Sequence, residues 1–337
     1  MIDNYSFETK EVSWSVDDLV VFGTMTRPRI KEATPGVVFV AGSGPTDRDW
    51  CSPALPGTNG SARLLAEALS RQGYATMRYD KRASGPHASE NVPKMLGKIS
   101  MQSHIDELKG AFETLATTSG LEPTNIFALT SSEGAIHALN YQLLGTDKKF
   151  KGLILTGAPG RSIGQVARSQ ARALLSSLAD GDDLMKHYDD AISAFLEGKR
   201  IVPDTSLPEQ LKNLLIGLDS PANFPFAREL WSYNLSDAIV KVSEPILVII
   251  GKKDIQTDWD VDGKALEFAS AMKNNIMFVY PENADHTLKH EERPREKLTA
   301  EVVLRYNAEE RKLDQETLLA IVNWLSEHRT RGAVLSG

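Results

Sequence analysis

The chain of 337 residues holds a single cysteine, Cys51, which excludes an intrachain disulfide. Cys51 lies in Asp-Trp-Cys-Ser-Pro with no strand before it, and reads as a structural thiol rather than a nucleophile. No Cys/His cluster has zinc spacing and no His-Glu-x-x-His occurs, so no metal or cofactor site is expected. There is no long basic run and the formal net charge is -7, which argues against nucleic acid or an anionic membrane surface as partner. No apolar stretch reaches the roughly 18–20 residues of a membrane span. The opening Met-Ile-Asp-Asn-Tyr-Ser-Phe-Glu has no basic segment leading into an apolar core. The expected location is therefore cytoplasmic, although a secreted form without its leader reads the same. What remains is 41% hydrophobic and 25% charged, the balance of a globular enzyme with one large domain or a core plus a smaller one.

Apolar periodicity organises the chain. Tyr5–Trp14 and Leu19–Thr26 alternate apolar and polar side chains, as an antiparallel pair does. Gly36–Ala41 is a continuous apolar run suited to a strand buried on both faces. Ser61–Arg71 follows with helical spacing and Gly73 as its stop. Further strands are expected at Tyr74–Tyr79, Ile126–Leu129, Lys151–Thr156, Ile246–Ile250 and Asn275–Tyr280, with helices at Met101–Thr117 and Gln315–His328. This alternation predicts the α/β class, with a mostly parallel sheet covered by helices on both faces. Between Gly160 and Glu244 only helical patterns occur: Val166–Leu178, Asp183–Glu197, Leu207–Leu215 and Ala227–Ala238. The expected organisation is a core over residues 1–159 and 244–337, with a helical cap inserted at 160–243.

The most informative local feature is Asn125-Ile-Phe-Ala-Leu-Thr-Ser-Ser-Glu-Gly-Ala135, an apolar strand that ends abruptly before a helical pattern. A serine between strand and helix, with small residues around it, has the form of a nucleophile elbow. Thr130 and Gly134 fall two residues before and after Ser132, where bulk would block the turn. With Ser131 as nucleophile, Glu133 would occupy the position that needs glycine, so Ser132 is the candidate.

A serine hydroxyl needs a base, and the base needs an orienting acid. Asp254 follows the strand Ile246–Ile250 in Gly251-Lys-Lys-Asp, with Asp258 and Asp260 as alternatives. His286 follows the last strand in Glu282-Asn-Ala-Asp-His. His290 competes, but sits among Lys289, Glu291, Glu292 and Arg293 on what reads as a solvated face. His104, His137 and His187 fall in helical patterns, His87 in a Gly/Pro loop and His328 near the end of the chain. Two N–H donors for a developing oxyanion are expected from Glu133 and from the loop Ala41-Gly-Ser-Gly-Pro45, with Ser43 as candidate and Gly44 as runner-up. That loop lacks the Gly-Lys-Ser/Thr of a phosphate cradle. Thr46–Asp49 and Arg78–Arg82 read as ion pairs that shape this loop, with substrate contact as the alternative. Phe224, Phe226, Leu230, Trp231 and Tyr233 either line a substrate pocket or pack the cap onto the sheet; Gly44, Phe224, Phe226 and Trp231 are the candidate substrate contacts.

Gly42-Ser-Gly-Pro-Thr-Asp-Arg-Asp49, Tyr79-Asp-Lys-Arg82, Ser132-Glu-Gly134, Gly251-Lys-Lys-Asp254 and Asp285-His286 together resemble the α/β-hydrolases, specifically bacterial serine esterases with a helical cap. Their elbow commonly reads Gly-His-Ser-Glu-Gly-Gly; here Thr130, Ser131 and Ala135 replace three of the six residues. The resemblance implies hydrolysis of small to medium carboxylic esters through an acyl-enzyme, without metal or organic cofactor. A thioesterase, a small-peptide hydrolase or a non-catalytic binding protein on the same scaffold remain open, as does homo-oligomerisation.

Overall fold

The computed structural model describes residues 4–30, 32–118, 120–144, 148–176 and 178–330. Eight strands form one sheet: β1 (Phe7–Val16), β2 (Leu19–Pro28), β3 (Thr34–Val40), β4 (Ala75–Tyr79), β5 (Leu121–Ser131), β6 (Leu153–Thr156), β7 (Ile246–Ile249) and β8 (Ile276–Val279). Their order is β1-β2-β4-β3-β5-β6-β7-β8. β1 pairs antiparallel with β2, and β2 with β4; every later pairing is parallel. The loops that follow β3 to β8 therefore leave from one edge of the sheet, where α/β proteins build their sites.

Eleven α-helices occur among the described residues. They are α1 (Ser61–Arg71), α2 (Ala88–Met95), α3 (Met101–Ala116), α4 (Gly134–Leu143), α5 (Ile163–Leu175), α6 (Gly181–Leu196), α7 (Glu209–Leu218), α8 (Phe226–Trp231), α9 (Leu235–Ile239), α10 (Lys264–Ala269) and α11 (Gln315–His328). The two-residue period of the strands divides the core. Val38, Val40, Ile126, Ala128 and Val248 join one cluster with Leu108 and Phe112 of α3 and Ile136 and Leu139 of α4. Val37, Phe39, Phe127, Leu129 and Leu247 point the other way, onto Leu65 and Leu69 of α1 and Ile321 and Trp324 of α11. Both faces are dry, which is why these strands read as unbroken apolar runs. Side-chain caps start several helices, α3 and α11 among them. Ser100 and Ser103 form a reciprocal capping box at α3, and the Asp314 carboxylate accepts from Thr317 N at 2.9 Å at α11.

Between β6 and β7 the described residues contain α5 to α9 and no strand. Leu175, Leu184, Tyr188, Phe195, Leu211 and Leu215 form a third apolar cluster there. The expected helix Ala227–Ala238 is two, α8 and α9, because Asn234 caps Ser236 N at 3.0 Å and starts a new helix. The expected Val166–Leu178 begins and ends earlier, as α5, and its Ser177 lies outside the described residues. α2 arises where only a Gly/Pro loop is expected, with Pro93 inside it. No helix among the described residues is long and apolar enough to cross a membrane.

The turn from β5 into α4 depends on Gly134. A Cβ at Gly134 would lie 2.4 Å from the Val40 carbonyl oxygen and 2.8 Å from that of Ala41, so the helix start presses on the end of β3. Gly134→Ala is expected to destabilise the fold by about 2 kcal/mol. An unchanged midpoint in denaturant titration would refute this close approach.

Candidate active site

Ser132 stands at φ 51°, one of four non-glycine residues with positive φ among the described residues. That conformation is strained for a side chain with a Cβ and marks a constrained turn. Its N–H donates to Thr156 O at 2.7 Å, which ties the turn to the end of β6. The next residue along that strand end is Gly157, at φ 56°. A Cβ there would meet His286 Cε1 at 3.0 Å and Asp254 Oδ2 at 3.6 Å. Ser132, Asp254 and His286 therefore converge on the Thr156–Gly157 strand end, from the loops after β5, β7 and β8.

His286 and Asp254 are buried and joined by a hydrogen bond of 2.7 Å from Nδ1 to Oδ2. The other carboxylate oxygen accepts from Gln256 N at 2.7 Å and Thr257 N at 2.9 Å, which fixes the acid before it meets the imidazole. Arg295 braces the same loop, donating to the Lys252 and Asp254 carbonyls at 2.9 and 2.5 Å and to Asp258 Oδ2 at 2.8 Å. Asp258 is thus committed to Arg295, and Asp260 is exposed. Burial lowers the His286 pKa, but the charge and hydrogen bond of Asp254, with Asp285 nearby, outweigh it and leave the imidazole above 6.5. Asp285 holds the base loop: Arg311 donates to its Oδ2 at 2.5 Å, and its Oδ1 accepts from Thr287 N and Lys289 N. His290 instead faces Asp314 at 3.1 Å. Lys289, expected on a solvated face, is fully buried, with Nζ donating to the carbonyls of Asn59 and Tyr306.

The loop after β3 is fastened by ion pairs. Arg48 meets Asp80 at 2.7 Å, Arg78 pairs with Asp49, and Asp47 Oδ1 accepts from Asp49 N and Cys51 N. Lys81 is buried and does two things at once. Its Nζ donates to Gly42 O at 2.5 Å and to Glu133 Oε1 at 3.0 Å. It thereby joins the loop after β3 to the turn at Ser132. Neither the Ser43 nor the Glu133 N–H has an acceptor among the described residues. Burial, with Asp47 and Asp49 nearby, pushes the Cys51 thiol up to about 12, so it stays protonated and is no nucleophile.

Beside Glu133 lies a cavity of about 340 Å³. Gly44 and Phe226 line it. Trp231 packs inside the third apolar cluster, and Phe224 lies under the Arg228 guanidinium, 4.3 Å from its ring centroid. The remaining walls come from α2 and the residues after it (Val92, Met95, Leu96, Ile99) and from His104 of α3. The His104 and His137 ring centroids lie 4.5 Å apart with the rings tilted by 30°, each facing a carboxylate: Glu107 Oε2 at 3.6 Å and Glu133 Oε1 at 3.1 Å. Helical periodicity alone hides this pair; the i,i+3 spacing His104–Glu107 and i,i+4 spacing Glu133–His137 are its only sequence signals.

No protein-family model matches the chain. It is 23% identical over 264 residues to Esterase EstD of Thermotoga maritima, covering 76% of this chain and 54% of that protein. The chain thus spans about half the length of this curated relative. Among solved structures, it is similar to the α/β-hydrolase GrgF from Penicillium sp. sh18. The TM-score is 0.56 at 14% identity, over 96% of this chain and 99% of that one. It is also similar to the Pyrococcus furiosus esterase Pf2001, with a TM-score of 0.54 at 16% identity over 97% of each chain. The chain has the α/β-hydrolase fold.

The turn beside Ser132 carries an acid-sensitive cluster. Burial would raise the Glu133 carboxyl, but Lys81 and the His137 hydrogen bond hold it well below the usual range. Burial, reinforced by His104, lowers the His137 pKa to about 4. Folded His137 therefore binds fewer protons than unfolded His137 between pH 6.5 and about 4, so its contribution to stability is lost as pH falls through that window. His137→Gln is expected to flatten the decline of Tm across this range. A Tm profile parallel to that of the parent chain would exclude His137 as its source.

Proposed function

We propose that this chain is a serine carboxylesterase in which Ser132 is the nucleophile, His286 the general base and Asp254 the orienting acid. The observation that carries this reading is a strained, half-buried serine that follows β5 on the same sheet edge as a buried His–Asp couple. Asp254 engages Nδ1, so Nε2 is the nitrogen left to serve Ser132. Nε2 takes the hydroxyl proton as Ser132 Oγ attacks the ester carbonyl. The carboxylate keeps the imidazole in the required tautomer and offsets the charge that forms. The N–H groups of Glu133 and Ser43 receive the oxyanion; a donor of this kind is worth about 3 kcal/mol of barrier. Protonated His286 then gives its proton to the departing alcohol, and a water activated by the same nitrogen releases the acid. In this reading residues 160–243 act as a cap, with Phe226 contributing to the substrate cavity.

Hydrolysis of p-nitrophenyl esters from acetate to decanoate, with Ser132→Ala alongside, tests the proposal. The expected loss in the variant is at least about 10^4-fold in kcat, with fluorophosphonate labelling abolished. A folded parent chain that cleaves thioesters or anilides but not esters would replace the bond assigned here, and one that takes no label would be a binding protein.

The pH profile provides a separate check. His286 acts while neutral, so kcat/KM is expected to rise with pH through a midpoint above 6.5. In Asp254→Asn the opposing charge is gone and burial dominates, so the midpoint is expected to move below 6.5, with kcat lowered about 10^4-fold. An unmoved midpoint would mean that the limb belongs to another group.

A further inference from the structure

We infer that the cavity beside Glu133 is the acyl site, and that it selects uncharged acyl groups of medium length; this rests on the ester-hydrolysis reading. The argument begins with the four substituents of the tetrahedral carbon: Ser132 Oγ, the oxyanion, the leaving oxygen and the acyl carbon. The leaving oxygen receives its proton from His286, so the alcohol lies on the His286 side. The cavity is lined by Gly44 and Pro45 of the oxyanion segment and by Glu133, and by no residue of the acid or base loops. It lies on the side that the alcohol does not use, and the acyl group is the substituent left to enter it.

The walls define what fits. Val92, Met95, Leu96, Ile99, Ala222 and Phe226 present an apolar surface. The charged groups of the floor are already satisfied within the protein. Lys81 is held by Gly42 O and Glu133, and Arg82 by Glu107 at 2.6 Å and Ser103 O at 2.8 Å. No free counter-ion remains for a charged acyl tail, which would be desolvated without compensation. A void of about 150 Å³ accepts a benzene ring. The volume here, about 340 Å³, is a little over twice that and holds an acyl chain of up to about twelve carbons. His104 and Asn223 add polar edges to this otherwise apolar wall.

The test is a matrix of esters in which acyl and alcohol lengths vary independently. It is measured for the parent chain, for Ala222→Trp, which narrows the cavity, and for Ile99→Ala, which widens it. The expected result is that the octanoate-to-acetate ratio of kcat/KM falls about tenfold in the first variant and rises in the second, while octyl-to-ethyl alcohol ratios stay put. An acyl chain of the same length ending in a carboxylate is expected to be rejected about 100-fold. Alcohol ratios that move while acyl ratios do not would make the cavity an alcohol site and overturn the inference. Preference for the carboxylate-ended chain would overturn its chemical class. A parent chain with no esterase activity would instead remove the reading on which the inference stands. Each variant reports by itself, so one that fails to fold leaves the other to decide.

Discussion

The Lys81 ammonium links the two halves of the proposed oxyanion site. It is buried at the end of β4 and touches both the loop after β3 and the turn after β5. Those two segments own the N–H groups proposed for the oxyanion, so their spacing is referred to one atom. A buried charge is costly unless paired, and the pairing here is geometrically exacting because a carbonyl and a carboxylate must be reached together. The neighbouring pairs Arg48–Asp80, Arg78–Asp49 and Arg82–Glu107 extend the same layer. Such a layer contributes less to stability than to shape. It holds irregular backbone in place where apolar packing cannot follow the turns.

Much of this architecture is legible along the chain. α1 and α11 fall on their expected residues, and the parallel strands differ from expectation only at their ends, because both are written in short-range periodicity. That Ser132, Asp254 and His286 lie near one another follows from topology, since each follows a strand of one parallel sheet. Elements that depend on distant partners were not legible. α2 is masked by Pro93 and by the Gly85-Pro86 that precedes it, and it forms where Asn91 donates to Val20 O and Arg82 O. The burial of Lys289 is equally silent locally: its acceptors are residues 59 and 306, far away in sequence. The adjoining His104 and His137 come from different helices and meet only after the sheet is assembled.

The loops that hold Asp254 and His286 share a design. Arg295 grips the carbonyls and carboxylate of the loop holding Asp254, and Arg311 grips Asp285 and His290 O next to His286. Each arginine spans several acceptors with a planar fork and fixes a direction as well as a distance. The residues that touch each other for chemistry are thereby relieved of carrying the loop. Asp254 spends one oxygen on its own backbone and keeps the other for the imidazole.

Cys51 gives this segment an unplanned reporter. Its backbone exchanges hydrogen bonds with Asp47, and its thiol is buried and protonated beside the oxyanion segment. Being the chain's single sulfhydryl, it meets an alkylating reagent only when that segment lifts from the sheet. The rate of modification therefore counts openings of that segment one molecule at a time, without an engineered label and without interference from any other side chain of its kind.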